Sequence, residues 1–197
     1  MTNKDTDNHK GFYARGYLPH FDEPGLFQSI TFRLVDSISP ERMQKIRAQY
    51  QARRRREFHE AMEDELDRNY GKCWLRRDDV ARVVARALQK ANGKHYRLIA
   101  WVIMPNHIHC IIHHAEGYPL SGIVRNWKAD SAIRANRILR RTGKFWQPDY
   151  FDRYIRDPGH LDMAWEYIHF NPVAAGLCRR QEDWQWSSIH EYMAQLN

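Results

Sequence analysis

Two histidines one residue apart, His107 and His109, stand in the apolar run MPNHIHCIIHH at 104–114. In an extended chain successive side chains alternate between faces, so these imidazoles share one face while Ile108 and Cys110 take the other. Neutral imidazoles converging in this way suit a divalent cation. A pair alone does not make a metal site, and the spacing also fits one satisfied core histidine beside an edge histidine. His113 continues the same face towards the strand end and reads as exposed.

A second stretch, WEYIHFNP at 165–172, could complete a reactive set. Tyr167 and Asn171 are four residues apart and share a helix face if the helix reaches position 171. An asparagine oxygen suits a hard cation such as Mg²⁺ or Mn²⁺. A tyrosine beside it brings a phenolic oxygen to whatever the cation polarises, although a free phenol, with a pKa of about 10, is a poor nucleophile. Attack on a phosphodiester then requires neutralised charge on the nonbridging oxygens and in-line placement of the phosphorus. Tyr167 equally fits a core-packed ring. Tyr150 and Tyr154 of DYFDRY are rival nucleophiles, but neither has a potential ligand one helical turn on. Pro172 disfavours helical geometry at the residue before it, which would make Asn171 a helix cap. No carboxylate general base is evident beside the histidines, which disfavours a hydrolase that uses water as its nucleophile.

The elements that must position these residues are readable from hydrophobic periodicity. Alternation over 26–37 predicts a strand. Ser39-Pro40-Glu41 starts a helix that runs to about 69, with Gly71 as its stop. Its charge blocks RRRR and EDELD read as a solvated face. A further amphipathic helix spans 77–93. Strands at 94–105 and 106–114 join at Pro105-Asn106 and form the central pair of a sheet. A basic helix covers 119–143, a short strand 151–156, and Asp157-Pro158 opens the helix that carries Tyr167. The aromatic segment 12–25, with Pro19, Pro24 and Gly25, reads as irregular. This order predicts an α+β fold: an antiparallel sheet of about four strands, ferredoxin-like or RRM-like, with helices packed on it. Residues 1–11 read as a disordered tail, and 12–197 as a single domain.

Lys and Arg outnumber Asp and Glu by 31 to 24, and the resulting net charge of +7 favours a polyanionic partner. Cys73, Cys110 and Cys178 are far apart and form no C-x-x-C pair, so neither a disulfide framework nor a cysteine zinc site is indicated. The polar N-terminus and the absence of a long apolar run point to a cytoplasmic protein without a membrane partner.

Several stretches together resemble the HUH single-tyrosine nucleases, and within them the REP-associated tyrosine transposases. They are RGYLPHFD (15–22), ITFRL (30–34), YRLIAWVIMPNHIH (96–109), FWQPDYFDRYIRD (145–157), EYIHFNPVAAGL (166–177) and DWQWSS (183–188). The resemblance implies the HUH nuclease fold and a metal-dependent enzyme that nicks and rejoins single-stranded DNA at REP hairpins, each preceded by a guide tetranucleotide. It implies a 5′-phosphotyrosine intermediate and a free 3′-OH. Carried over by residue, the nucleophile is Tyr167 and the metal ligands are His107, His109 and Asn171, with Mg²⁺ or Mn²⁺ as the cofactor. A nucleoid-associated cytoplasmic monomer is expected, with a dimer left open. The alternative is a non-catalytic regulatory protein that binds the same hairpins.

DNA recognition is expected in two extensions, 12–25 and 178–197. Arg15, Tyr17, His20, Phe21, Trp184 and Trp186 offer stacking and hydrogen-bonding groups there. Arg125 and Lys128 of the basic helix are candidates for phosphate contact.

Overall fold

The computed structural model describes residues 9–15, 18–50 and 55–196. Its centre is a four-stranded antiparallel sheet of β3 (Phe27–Arg33), β4 (Tyr96–Ile103), β5 (His107–His114) and β6 (Phe151–Ile155), in the order β4-β5-β3-β6. The predicted α+β class with helices on an antiparallel sheet is therefore the observed one. The pairing differs from expectation in one respect. Only β5 of the hairpin at Asn106 is central; β3 takes the second central place, and β4 is an outer strand.

The reason β4 reads as buried on both sides lies far along the chain. Residues 186–188 lie against its outer edge, with the Ile103 N–H donating to the Trp186 carbonyl and the Ser188 N–H to the Trp101 carbonyl, both at 2.9 Å. The edge that would otherwise offer free backbone groups is thereby closed.

Helices cover both faces. Ile30 and Phe32 of β3, with Ile108, Cys110 and Ile112 of β5, form the larger core with α3 (Asp78–Gln89) and α4 (Leu120–Ile138). The opposite face, through Val102, Ile111 and Ile155, packs on Ile168 of α5 (Pro158–Ala174). Strand alternation thus sends His107 and His109 to the α5 side, away from α4.

The long helix expected over 40–69 is two helices, α1 (Pro40–Gln49) and α2 (Arg55–Asp67). Met43 and Ile46 pack with Met62 and Leu66 in one cluster. A straight helix would hold Met43 and Met62 about 28 Å apart, so the contact requires the chain to turn back. Beyond α2 the chain turns at Gly71 (φ 88°), where a Cβ would fall 2.5 Å from the Asp36 carbonyl oxygen. Only glycine fits this left-handed close approach.

The segment 12–25, expected to be irregular, contains a two-stranded hairpin, β1 (Gly11–Arg15) and β2 (Leu18–Asp22). Cross-strand pairing such as Phe12 with Phe21 outweighs the local turn signals. The helix α5 continues through Pro172 to Ala174, so Asn171 is helical rather than a cap. The C-terminal segment adds α6 (Ile189–Leu196). Among the described residues, no helix is long and apolar enough to cross a membrane.

Candidate active site

His107 and His109 are fully buried on the α5 face of β5, with their Nε2 atoms 2.9 Å apart. Each ring is held from behind. The Asn106 amide donates through Nδ2 to the carbonyls of Leu66 and Tyr70, which leaves its Oδ1 to accept from His107 Nδ1 at 2.7 Å. The Nδ1 proton of His107 is thus assigned by the network, and its Nε2 carries the free lone pair. His109 Nδ1 lies 2.8 Å from Thr31 Oγ1, on the adjacent residue of β3. A hydroxyl both donates and accepts, so Thr31 supports either tautomer of His109. Burial pulls the His107 pKa down to about 3 and that of His109 well below its usual value, so both rings are neutral near pH 7.

Tyr167 reaches this pair from α5, its ring 5.6 Å from that of His109 in an edge-to-face arrangement. The residue is 42% exposed, and its hydroxyl donates to Glu63 Oε2 at 2.9 Å. Burial, and then the Glu63 charge, raise the phenol pKa far above its usual value; a hydrogen bond from Asn171 works in the opposite direction. Asn171 is buried one turn further along α5, and its Oδ1 has no hydrogen-bond partner.

Two carboxylates complete the pocket, and both come from α2. Glu63 Oε1 is 3.9 Å from His109 Nδ1, and Asp67 Oδ1 is 3.8 Å from His107 Nε2. Burial pushes Glu63 up to about 7; burial, with Asp64 nearby, pushes Asp67 up to about 6. The expectation that no carboxylate stands near the histidines is therefore overturned. His59, Glu63 and Asp67 recur every fourth residue in HEAMEDELD, a helical stripe that was readable but indistinguishable from a solvated face. Asn106 and Thr31 carried no local signal at all. Arg153 is exposed, felt electrostatically by Glu63, and shares its β6 face with Phe151 and Ile155.

A cation fits this donor set. Two neutral imidazole nitrogens face each other, and the buried oxygens Asn171 Oδ1 and Asp67 Oδ1 have no hydrogen-bond partner. Nitrogen and oxygen donors of this kind suit Mg²⁺ or Mn²⁺.

The rival tyrosines are elsewhere. Tyr150 is buried in the α4-side core, bonded to Tyr13 through its hydroxyl. Tyr154 packs its ring against Phe21, on the β6 face opposite to Arg153. His113 is half-buried against Phe27 rather than exposed.

The residues expected to touch DNA divide similarly. Arg15 ends β1, and Tyr17 lies outside the described residues. His20 is wholly interior, bonded to Asp152 and Asp149. Phe21 is half-buried between Phe12 and Tyr154, in a ladder whose outer ring, Phe12, is 69% exposed. Arg125 is exposed on α4, but Lys128 spends its ammonium on the carbonyls of Gln147, Pro148 and Asp149. The α4 helix covers the sheet face opposite to the histidines. Trp184 and Trp186 anchor the C-terminal segment, donating to the Ile103 carbonyl and to Asp78.

A His-hydrophobic-His strand facing a helix-borne tyrosine on an antiparallel sheet is the arrangement of the HUH single-tyrosine class. Residues 68–171, more than half of the chain, match the family model described as Transposase IS200 like, and the chain belongs to that family. An Escherichia coli REP-associated tyrosine transposase is 28% identical over 105 residues, covering 50% of this chain and 58% of its own length. A Haemophilus influenzae relative is 29% identical over 117 residues, 53% of this chain and 66% of its own. The chain thus spans less than two thirds of the curated relatives it matches. A solved structure of a REP-associated tyrosine transposase bound to a REP hairpin shares the fold, with a TM-score of 0.57 and 22% identity over 92% of this chain and 84% of that one.

Proposed function

We propose that this transposase-family chain nicks and rejoins single-stranded DNA at REP hairpins, with Tyr167 as nucleophile and a cation held by His107, His109 and Asn171. The observation that carries the reading is the convergence of a tyrosine hydroxyl, a carboxylate of raised pKa and two neutral histidines in one pocket. The family membership and the designations of the relatives support the substrate. Asp67, with its unpartnered oxygen beside His107, is a further candidate ligand.

When bound, the cation supplies charge neutralisation at the nonbridging phosphate oxygens. The protein does the rest. Glu63 takes the phenolic proton, for which a pKa near neutrality is well matched. The Tyr167 oxygen forms a bond to phosphorus as the bond to the 3′ oxygen breaks, and the departing oxygen takes a proton from solvent, leaving a 5′-phosphotyrosine and a 3′-OH. Reversal by that 3′-OH returns the proton to the pocket and rejoins the strand. Arg153, on the same face of an outer strand, is placed to hold a flanking phosphate. The Phe12–Phe21–Tyr154 ladder offers unpaired bases a stacking surface on the other side of β6. Because Tyr167 stands beside His109 of its own chain, the site is built within one copy, which supports a monomeric enzyme.

The test is incubation with single-stranded REP hairpin oligonucleotides and Mn²⁺, followed by denaturing gels and mass mapping of adducts. An adduct on Tyr167, absent from Tyr167→Phe and from samples with EDTA, is the expected result. Binding without cleavage would replace this reading with that of a regulatory hairpin-binding protein. An adduct on Tyr150 or Tyr154 would overturn the nucleophile assignment.

A further inference from the structure

A second group of potential ligands, His9, Asp22 and His114, stands on the opposite side of the sheet from the histidine pair. By alternation His114 shares its face with Ile108, Cys110 and Ile112, and it is five residues, about 17 Å, along β5 from His109. His114 ends β5, Asp22 ends β2, and His9 precedes β1. The three offer one ligand atom each within 4.8 Å of one another.

The cluster is incompletely satisfied. Asp22 and His114 are fully buried, and His9 is bonded through Nδ1 to Asp22 Oδ1 at 2.9 Å. Asp22 Oδ1 also accepts the N–H of Leu120, the first residue of α4, at 3.1 Å. That leaves His9 Nε2, Asp22 Oδ2 and both ring nitrogens of His114 buried without a hydrogen-bond partner. A buried polar group left unmet is costly to the folded state. One ligand atom from each of three residues, drawn from three separate segments, lies close enough to share a single acceptor of lone pairs. Two imidazoles and a carboxylate are a donor set of the kind that holds a borderline divalent cation, with a fourth position left to water.

We propose that His9, Asp22 and His114 bind a divalent cation, Zn²⁺ being the best chemical match, and that this ion fastens the N-terminal hairpin to the end of β5 and the start of α4. The site is independent of the phosphotransfer pocket.

The experiment titrates Zn²⁺ into EDTA-treated full-length protein, counts bound metal by mass spectrometry, and compares wild type with His9→Gln. His9 lies outside the strands and is partly exposed, so this variant keeps the fold, which circular dichroism checks. Wild type is expected to bind one more Zn²⁺ per chain than His9→Gln, and Zn²⁺ should slow protease cleavage within residues 9–26 at least tenfold in wild type only. Asp22→Asn should weaken the same ion at least tenfold. Equal stoichiometry and affinity in wild type and His9→Gln would overturn the proposal, leaving the cluster to bound water.

Discussion

The Tyr167 hydroxyl donates to Glu63 Oε2 at 2.9 Å, joining α5 to α2 across 104 positions of sequence. If Glu63 receives the phenolic proton, Glu63→Gln keeps the shape of the pocket but removes the acceptor. Single-turnover cleavage of a hairpin oligonucleotide should then slow by about 10²–10⁴-fold, with DNA affinity unchanged. An unchanged rate would mean that the proton leaves by another route.

The same carboxylate makes stability depend on pH. Its pKa is about 7 in the folded chain against an ordinary 4.5. Between those values the folded state binds more protons than the unfolded state, so this contribution is present at low pH and lost as pH rises through 7. In EDTA, Glu63→Gln should therefore gain stability relative to wild type as pH rises from 4.5 to 7.5, read as the difference in urea midpoints.

His20 sets a second window. Burial lowers its pKa, but Asp149 and Asp152 outweigh burial and raise it from 6.5 to about 9. The folded state holds the extra proton, so stabilisation is complete below 6.5 and disappears as pH rises through 9. Asp149→Asn removes one of the two carboxylates and should reduce the fall in melting temperature between those pH values.

Asn106 orients His107 while holding two carbonyls of the chain after α2. Asn106→Ala should cost about 1–3 kcal/mol in urea unfolding, since it leaves the buried His107 Nδ1 without its acceptor and takes a donor from the Leu66 and Tyr70 carbonyls. Asn106→Ser is the milder variant for measuring the metal. Its Mn²⁺ affinity, followed by electron paramagnetic resonance, should fall about 10–100-fold because the ring loses the partner that orients it.

Ser188 seals the outer edge of β4. Its Oγ accepts the Trp101 N–H at 2.8 Å and meets His169 Nε2 of α5 at 2.8 Å. Ser188→Ala should lower unfolding free energy by about 1–3 kcal/mol, without removing the Tyr167–Glu63 contact.

The residues themselves determined the parts of this protein that depend on local spacing. Strand alternation placed His107 and His109 on one face, and the four-residue interval placed Tyr167 and Asn171 on one side of a helix. The strand and helix order was enough for the α+β class. What only the tertiary structure decided is which elements meet. Hydrophobic closure of Met43 and Ile46 on Met62 and Leu66 turns α2 back over the sheet, and that turn alone brings Glu63 to Tyr167 and Asp67 to His107. Sealing of β4 by residues 186–188 also fixed where Trp184 and Trp186 sit, through indole N–H bonds to the Ile103 carbonyl and to Asp78. The basic α4, whose charge is legible in any reading of the chain, packs on the far side of the sheet from the histidines. Periodicity reports which side of an element is apolar; it does not report which other apolar surface will cover it, because that choice is made by long-range packing.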